Sequence, residues 1–301
     1  MKRVVVALGG NALLRNGQNS GGTDERENLA IAADAVAALS VGRSLVVTHG
    51  NGPQVGLLAL RAAAYGGDGP ERLDVLGAET EGMIGYLLER EVRSRLPDVP
   101  IVTLLTQVEV DASDPAFEVP SKPIGPFYSR EDAKKLRDEQ GWTIVEFGRG
   151  WRRVVPSPNP LRLFQLEAVQ LLLEAGHIVI CGGGGGVPVV RDVQGDMHGI
   201  EGVVDKDLSA ALLAEGIGAD ALLLLTDVDA IYEDWPDRAA PIQSITPAEI
   251  RALDLSSGSM GPKAEAAARF VERAGGWAGI GALDESIGVL TGTSGTRVEA
   301  L

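Results

Sequence analysis

Cysteine is nearly missing: Cys181 is the single one in 301 residues, so no internal disulfide can form. One thiol fits a reducing compartment, and a cytoplasmic location is the expectation. Aromatic residues make up only 4%, too few for the stacking platforms that hold single-stranded nucleic acid. Positive charge is short as well. Lys and Arg number 27 against 42 Asp and Glu, a formal charge of −15. Such a chain repels polyanions at long range, which argues against nucleic acid and anionic membrane as partners. No run of about 18 apolar residues occurs, so no membrane-spanning helix is expected. His49, His177 and His198 are scattered, and no Cys/His spacing suits a dedicated metal site. The dinucleotide fingerprint G-x-G-x-x-G and the Walker A loop are both missing.

What is present suits a large α/β fold. Hydrophobic residues make up 45% of the chain, enough for a sizeable core. Lys2 to Leu8 reads as a strand buried on both faces, because Val4-Val5-Val6 shows no alternation. Its basic start and short apolar run end in Gly-Gly-Asn, which favours a first strand over a secretion signal. Helices are predicted over 24–39, 53–65 and 73–96, the last stopped by Pro97. Strands are predicted over 44–48 and 101–110. Residues 111–126 hold four prolines and read as irregular chain. A short charged helix over 129–140 and a hairpin through 142–155 follow, so 113–156 reads as a small insertion standing off the main sheet. Beyond it, helices are predicted over 163–175, 245–253 and 264–274. Strands are predicted over 178–181, 220–225, 278–283 and 287–291, with a short one closing the chain. Strand followed by helix, repeated, predicts a three-layer α-β-α sandwich. It has a largely parallel central sheet and a small protruding insertion subdomain. An N-terminal lobe over about 1–175 and a C-terminal lobe over about 176–301 continue one sheet.

Glycine is abundant where strands end. Gly9-Gly10-Asn11 follows the first strand, and His49-Gly50-Asn51-Gly52 the second. Five consecutive glycines, 182–186, follow the strand over 178–181. Bare backbone at the carboxyl end of a buried strand lets a ligand approach closely. The costly five-glycine run reads as backbone lying against a ligand or another strand. Val204-Asp205-Lys206-Asp207 puts a cation between two carboxylates at a predicted helix start. Asp205 suits the N-cap, and the free N–H groups beyond it suit a phosphate; a capped surface helix is the plainer alternative. Gly258-Ser259-Met260-Gly261-Pro262-Lys263 brings another lysine to a helix start. Lys122 sits among prolines and, taken alone, is an ordinary solubilising charge. Thr226, Asp227 and Asp229 suit either a nucleotide crevice or a loop cap. Arg149, Arg152 and Arg153 read as hairpin-face charges or ion-pair partners, and Cys181 as a core thiol. The glycine loops and three lysines together fit phosphoryl transfer, which needs positioning and charge neutralisation more than a covalent nucleophile.

The set VVALGGNA (5–12), HGNGPQVG (49–56), LTQVEVD (105–111), KPIGPF (122–127), GRGWRRVVPSP (148–158), CGGGGGVPVV (181–190), VDKD (204–207), LLTDVDAIY (224–232) and GSMGPK (258–263) resembles the carbamate kinases of the amino acid kinase superfamily. The resemblance covers nearly the whole chain. It implies reversible transfer of a phosphoryl group between carbamoyl phosphate and ADP. The products are ATP and carbamate, which breaks down to ammonia and carbon dioxide, as in fermentative arginine catabolism. It implies that carbamate and the phosphoryl group lie near Gly9, Gly10, Asn11, Gly50, Asn51 and Gly52. It gives catalytic phosphoryl contacts to Lys122, Lys206 and Lys263, oriented by Asp207. The nucleotide is implied in the C-terminal lobe, against Thr226, Asp227, Asp229, Tyr232, Met260, Gly261 and Lys263. Mg²⁺ is implied with ADP or ATP, held by phosphate oxygens and water. A homodimer is also implied, with 73–96 as the candidate interface. Many superfamily relatives carry a catalytic lysine just before the first glycine pair. Ala7 stands there, as in carbamate kinases, where Lys206 takes over. Two alternatives remain: a related acylphosphate or nucleotide-monophosphate kinase, and a non-catalytic nucleotide-binding sensor on the same fold.

Overall fold

The computed structural model describes residues 2–9, 23–65, 71–148, 150–233, 240–253, 255 and 260–300. Gly10, Asn11, Arg149, Gly258 and Ser259 lie outside the described residues. The first half of the chain runs β1 (Lys2–Leu8), α1 (Thr23–Ser40), β2 (Arg43–His49), α2 (Gly52–Tyr65), α3 (Leu73–Arg95), β3 (Ile101–Thr103) and β4 (Gln107–Val110). Then come β5 (Lys122–Tyr128), α4 (Arg130–Gln140), β6 (Ile144–Phe147), β7 (Gly150–Val155), β8 (Pro160–Leu163) and α5 (Leu166–Glu174). The second half runs β9 (Ile178–Ile180), β10 (Val187–Arg191), β11 (Met197–Gly199), α6 (Lys206–Gly216), β12 (Ala221–Thr226) and β13 (Ser244–Ile245). It closes with α7 (Pro247–Ala252), α8 (Met260–Ala274), β14 (Trp277–Ala282), α9 (Ser286–Thr291) and β15 (Thr296–Val298).

The central sheet has the order β13-β15-β14-β12-β1-β2-β9-β3. Every neighbouring pair is parallel except β14 with β15. Helices cover both faces, which is why β1 shows no alternation. Val5 and Ala7 point into a core shared with Leu173 of α5, Leu213 of α6 and Phe270 of α8. Val4, Val6 and Leu8 point the other way, onto Val36 and Leu39 of α1 and Ile84 and Leu88 of α3. The predicted three-layer sandwich is the architecture observed. From the β1–β12 boundary the sheet grows in opposite directions, so the carboxyl ends of β12, β1, β2 and β9 stand side by side. In open α/β sheets such a boundary is where ligands bind.

Several predicted elements differ. The single strand over 101–110 is two: β3 lies in the central sheet and β4 in a second sheet of order β11-β10-β4-β8. Thr106 marks the break. Its N–H donates to Glu81 Oε2 (3.2 Å) and its hydroxyl accepts from the Gly182 N–H (2.8 Å) instead of extending the ladder. The chain over 122–126 is not irregular but part of β5, in a small antiparallel sheet of order β5-β7-β6. Pro123 and Pro126 are tolerated because β5 is an edge strand and needs N–H donors on one side only. The predicted strand over 287–291 is helix α9, closed by Gly292 in the left-handed region at φ 79°; so short an apolar run does not discriminate strand from helix. The helices predicted from 163 and 245 begin at Leu166 and Pro247, because 160–163 and 244–245 pair as β8 and β13.

The small sheet docks on the body through two glycines. A Cβ on Gly56 of α2 would fall 2.0 Å from the Cα of Gly125 in β5. No side chain fits between these backbones.

Candidate active site

The carboxyl ends of the four central strands carry the glycine loops. The Gly9 N–H donates to the Leu225 carbonyl (2.8 Å), which seats the end of β1 beside Thr226. The Gly50 N–H donates to the Leu8 carbonyl (3.1 Å). Asn51 Nδ2 donates to Thr80 Oγ1 of α3 (2.9 Å), and Gly52 opens α2. The glycine run is packed against protein. A Cβ on Gly183 would meet His49 Cε1 at 2.4 Å, and one on Gly184 would meet Asn51 Nδ2 at 2.2 Å. Thr48 Oγ1 donates to the Gly182 carbonyl (2.8 Å), and Ser209 Oγ to that of Gly185 (2.7 Å). The close backbone approach expected of the run is therefore present, and side chains of β2, its following loop and α3 make it.

Around the start of α6 three lysines meet two aspartates. Asp205 is the N-cap, its Oδ1 accepting from the N–H groups of Asp207 (2.9 Å) and Leu208 (3.3 Å). The expected cap is in place, and its carboxylate already satisfies two of the donors at this helix start. Oδ2 of Asp205 takes the ammonium of Lys122, reaching in from the small sheet. Asp207, one residue into the helix, is buried and bridges the other two lysines. Oδ1 accepts from Lys206, and Oδ2 from Lys263 of α8 at 3.1 Å. Asp207 therefore contacts two of the three lysines it was expected to orient, and Asp205 contacts the third. Burial drives the Asp207 carboxyl up, yet the two ammonium charges outweigh it and hold it below its ordinary value. Burial pulls Lys206 below its ordinary value, and Lys263 adds to the fall, against the pull of Asp207. Lys263 is also buried, but Asp207, Asp205 and Asp227 together hold its ammonium above the ordinary lysine value. Three ammonium groups are thus held within reach of one another by two bonded carboxylates, with Asp227 adding negative charge at Lys263.

Ala7 lies fully buried in the core between β2 and β12, paired with Thr48 and Leu224, where an ammonium group would have no water. Among the residues expected to meet the nucleotide, Asp227 hydrogen-bonds the Thr226 hydroxyl (3.1 Å), and Tyr232 Oη donates to Asp229 Oδ2 (2.6 Å). Met260, Gly261 and Lys263 all belong to the first turn of α8, which starts earlier than predicted. Arg152 and Arg153 lie on the β6–β7 hairpin as expected, and Arg153 pairs with Glu201 at 4.0 Å. Arg152 Nη2 donates to the Gly125 carbonyl (2.8 Å), and the Arg153 guanidinium stacks 4.1 Å from the centre of the Trp142 ring. Cys181 is buried, which pushes its thiol up and leaves it unreactive. Among the described residues no group of three or more His, Cys, Asp or Glu could hold a metal ion, and no helix is long and apolar enough to cross a membrane.

Glu81 was not anticipated, because one charge within the helix over 73–96 reads as solvent-facing. It is fully buried beneath the glycine run. Oε1 accepts from the Gly183 N–H (2.9 Å), and Oε2 from that of Thr106. Burial outweighs these donors and raises its carboxyl to about 7. Beside it His49, also buried, is pushed down to about 4 by burial and further by the charge of Lys206. A carboxyl raised on folding stabilises below its unfolded value, near 4.5, and that contribution is lost as pH rises through about 7. The stability advantage of the native chain over Glu81→Gln is therefore expected to shrink between about pH 4.5 and 7. Urea unfolding of both proteins across that range measures it; a pH-independent difference would contradict the assignment.

Comparison with known proteins decides the family. The Amino acid kinase family model matches residues 2–277. The carbamate kinase of Haemophilus influenzae is 49% identical, over 98% of this chain and 96% of its own. The carbamate kinase of Escherichia coli K12 is 47% identical, over 99% of each. The chain belongs to the carbamate kinases of the amino acid kinase family. Solved structures agree: carbamate kinase from Giardia lamblia bound to citric acid superposes with a TM-score of 0.92 at 37% identity, covering 99% of this chain and 98% of that one. The same Giardia enzyme bound to AMP-PNP gives a TM-score of 0.87 with the same coverage.

Proposed function

We infer that this chain catalyses reversible phosphoryl transfer between carbamoyl phosphate and ADP. The bond from the carbamoyl oxygen to phosphorus breaks, and one from phosphorus to a terminal oxygen of ADP forms. ATP and carbamate result, and carbamate then decomposes to ammonia and carbon dioxide. The observation that carries the reading is Asp207 joining Lys206 and Lys263 at the carboxyl edge of the sheet, with Lys122 beside them on Asp205. Phosphoryl transfer asks for such preorganised positive charge. In this reading Lys122, Lys206 and Lys263 bind phosphoryl oxygens and Asp207 orients the latter two.

Carbamate and the transferred group lie against Gly9, Gly10, Asn11 and Gly50-Asn51-Gly52, in the lobe over about 1–175. ADP lies in the lobe over about 176–301, along Thr226, Asp227, Asp229, Tyr232, Met260, Gly261 and Lys263. The insertion over 113–156 carries Lys122 to the junction. Binding of AMP-PNP to the Giardia relative supports a nucleotide site. Mg²⁺ accompanies the nucleotide, held mainly by phosphate oxygens and water. Bound there it neutralises phosphate charge. A cytoplasmic homodimer completes the reading, and sedimentation measures the oligomer.

The test is ATP formation from ADP and carbamoyl phosphate, read by a coupled luciferase. ATP well above the spontaneous background is expected. No ATP, together with phosphorylation of a nucleoside monophosphate or another acyl acceptor by ATP, would favour the related kinases. ADP binding without any turnover would favour the sensor.

A further inference from the structure

Asp205 uses its two oxygens for different purposes. Oδ1 caps α6, and Oδ2 holds the ammonium of Lys122. The side chain of Asp205 is 7% exposed and that of Lys122 34%, so the carboxylate is already out of water while the lysine stays partly exposed. Lys122 begins β5, and three residues further on Gly125 presses against Gly56 of α2. Backbone contact thus brings the small sheet against α2, and Asp205 binds the tip of the lysine. Asp205 also lends negative charge to Lys206 and Lys263. Without it, a third ammonium group would be brought beside two that share a single carboxylate.

We propose that Asp205 is a positioning residue for phosphoryl transfer: its carboxylate draws Lys122 of the small sheet to the start of α6, beside the Lys206–Asp207–Lys263 group, before the phosphoryl group arrives. An ammonium has three N–H donors, so one on Asp205 leaves two for phosphoryl oxygens. The inference rests on the proposed role of Lys122 and adds the residue that sets its position. Asp205 needs no contact with substrate.

Asp205→Asn separates the two uses, because asparagine caps a helix as well as aspartate but carries no charge. Asp205→Ser, another good cap, serves as the second variant should the amide perturb folding. A hydrogen bond to a charged group is worth roughly a tenfold to hundredfold change in an equilibrium or rate. Accordingly kcat/KM for carbamoyl phosphate is expected to fall about tenfold or more in either variant, with KM for ADP within about twofold of the native value. In combination with Lys122→Ala, Asp205→Asn is expected to add much less than it costs alone, the remainder reflecting the charge it lends to Lys206 and Lys263. A general structural defect would instead multiply with the lysine loss and move KM for ADP as well. Native kcat/KM in both folded Asp205 variants, or full multiplicativity with an impaired Lys122→Ala, overturns this inference alone. Native kcat/KM in Lys122→Ala overturns the proposed role of Lys122 and this inference with it.

Discussion

Asp207→Ala is expected to weaken the fold and abolish turnover together. The substitution leaves Lys206 and Lys263 buried, facing each other, without the carboxylate both of them bind. Removing one member of a buried charge group costs about 3–5 kcal/mol, because the remaining charges stay desolvated and lose the carboxylate they share. Asp207 is held below its ordinary carboxyl value, so its stabilisation is present at neutral pH and is lost only as pH falls into the acid range below about 3.8. Urea unfolding at pH 7 should show the full loss, and the coupled assay a fall in kcat of at least about 100-fold. Asp207→Asn preserves the shape and recovers part of the stability, but not the turnover, since an amide cannot hold two ammonium groups by charge. Native stability in Asp207→Ala would mean that the two lysines find other partners.

Lys206→Ala is the complementary case. It removes one ammonium and leaves Asp207 bonded to Lys263, so the fold is expected to persist. Loss of one preorganised charge contact lowers kcat by about 100-fold or more. ADP affinity, measured by calorimetry, should stay within about threefold of native, because the proposed nucleotide contacts lie on β12, its following loop and α8. Near-native turnover in the folded variant would contradict the role given to Lys206.

Much of this arrangement was legible in the sequence. Val4-Val5-Val6 announced a strand buried on both faces, and the glycines after β1, β2 and β9 marked the carboxyl edge of the sheet. The Lys206-Asp207 step and the Lys263 helix start pointed at the same chemistry. The helix cap at Asp205 was legible too, since local chain geometry dictates it. The second use of Asp205 was not, because its partner Lys122 is 83 residues away and arrives through a strand that contains two prolines. Proline content argued for irregular chain there, and the edge position that permits it is a tertiary fact. Glu81 was hidden for a similar reason. A glutamate in a helix reads as surface until the glycine run is known to fold over it. The run was read as backbone lying against a ligand or another strand, and His49 of β2 and Val108 of β4, with Asn51 and Glu81, occupy the space that Cβ atoms would need.

The most direct test follows phosphorus itself. Phosphorus NMR of one sample containing ADP, Mg²⁺ and carbamoyl phosphate resolves the donor and the γ-phosphate of ATP together. The native protein should convert one into the other mole for mole, while Lys206→Ala, still folded and still binding ADP, leaves the donor to its spontaneous decay. Equal conversion by the two proteins, or loss of carbamoyl phosphate with no γ-phosphate signal from the native one, would contradict transfer at this lysine cluster.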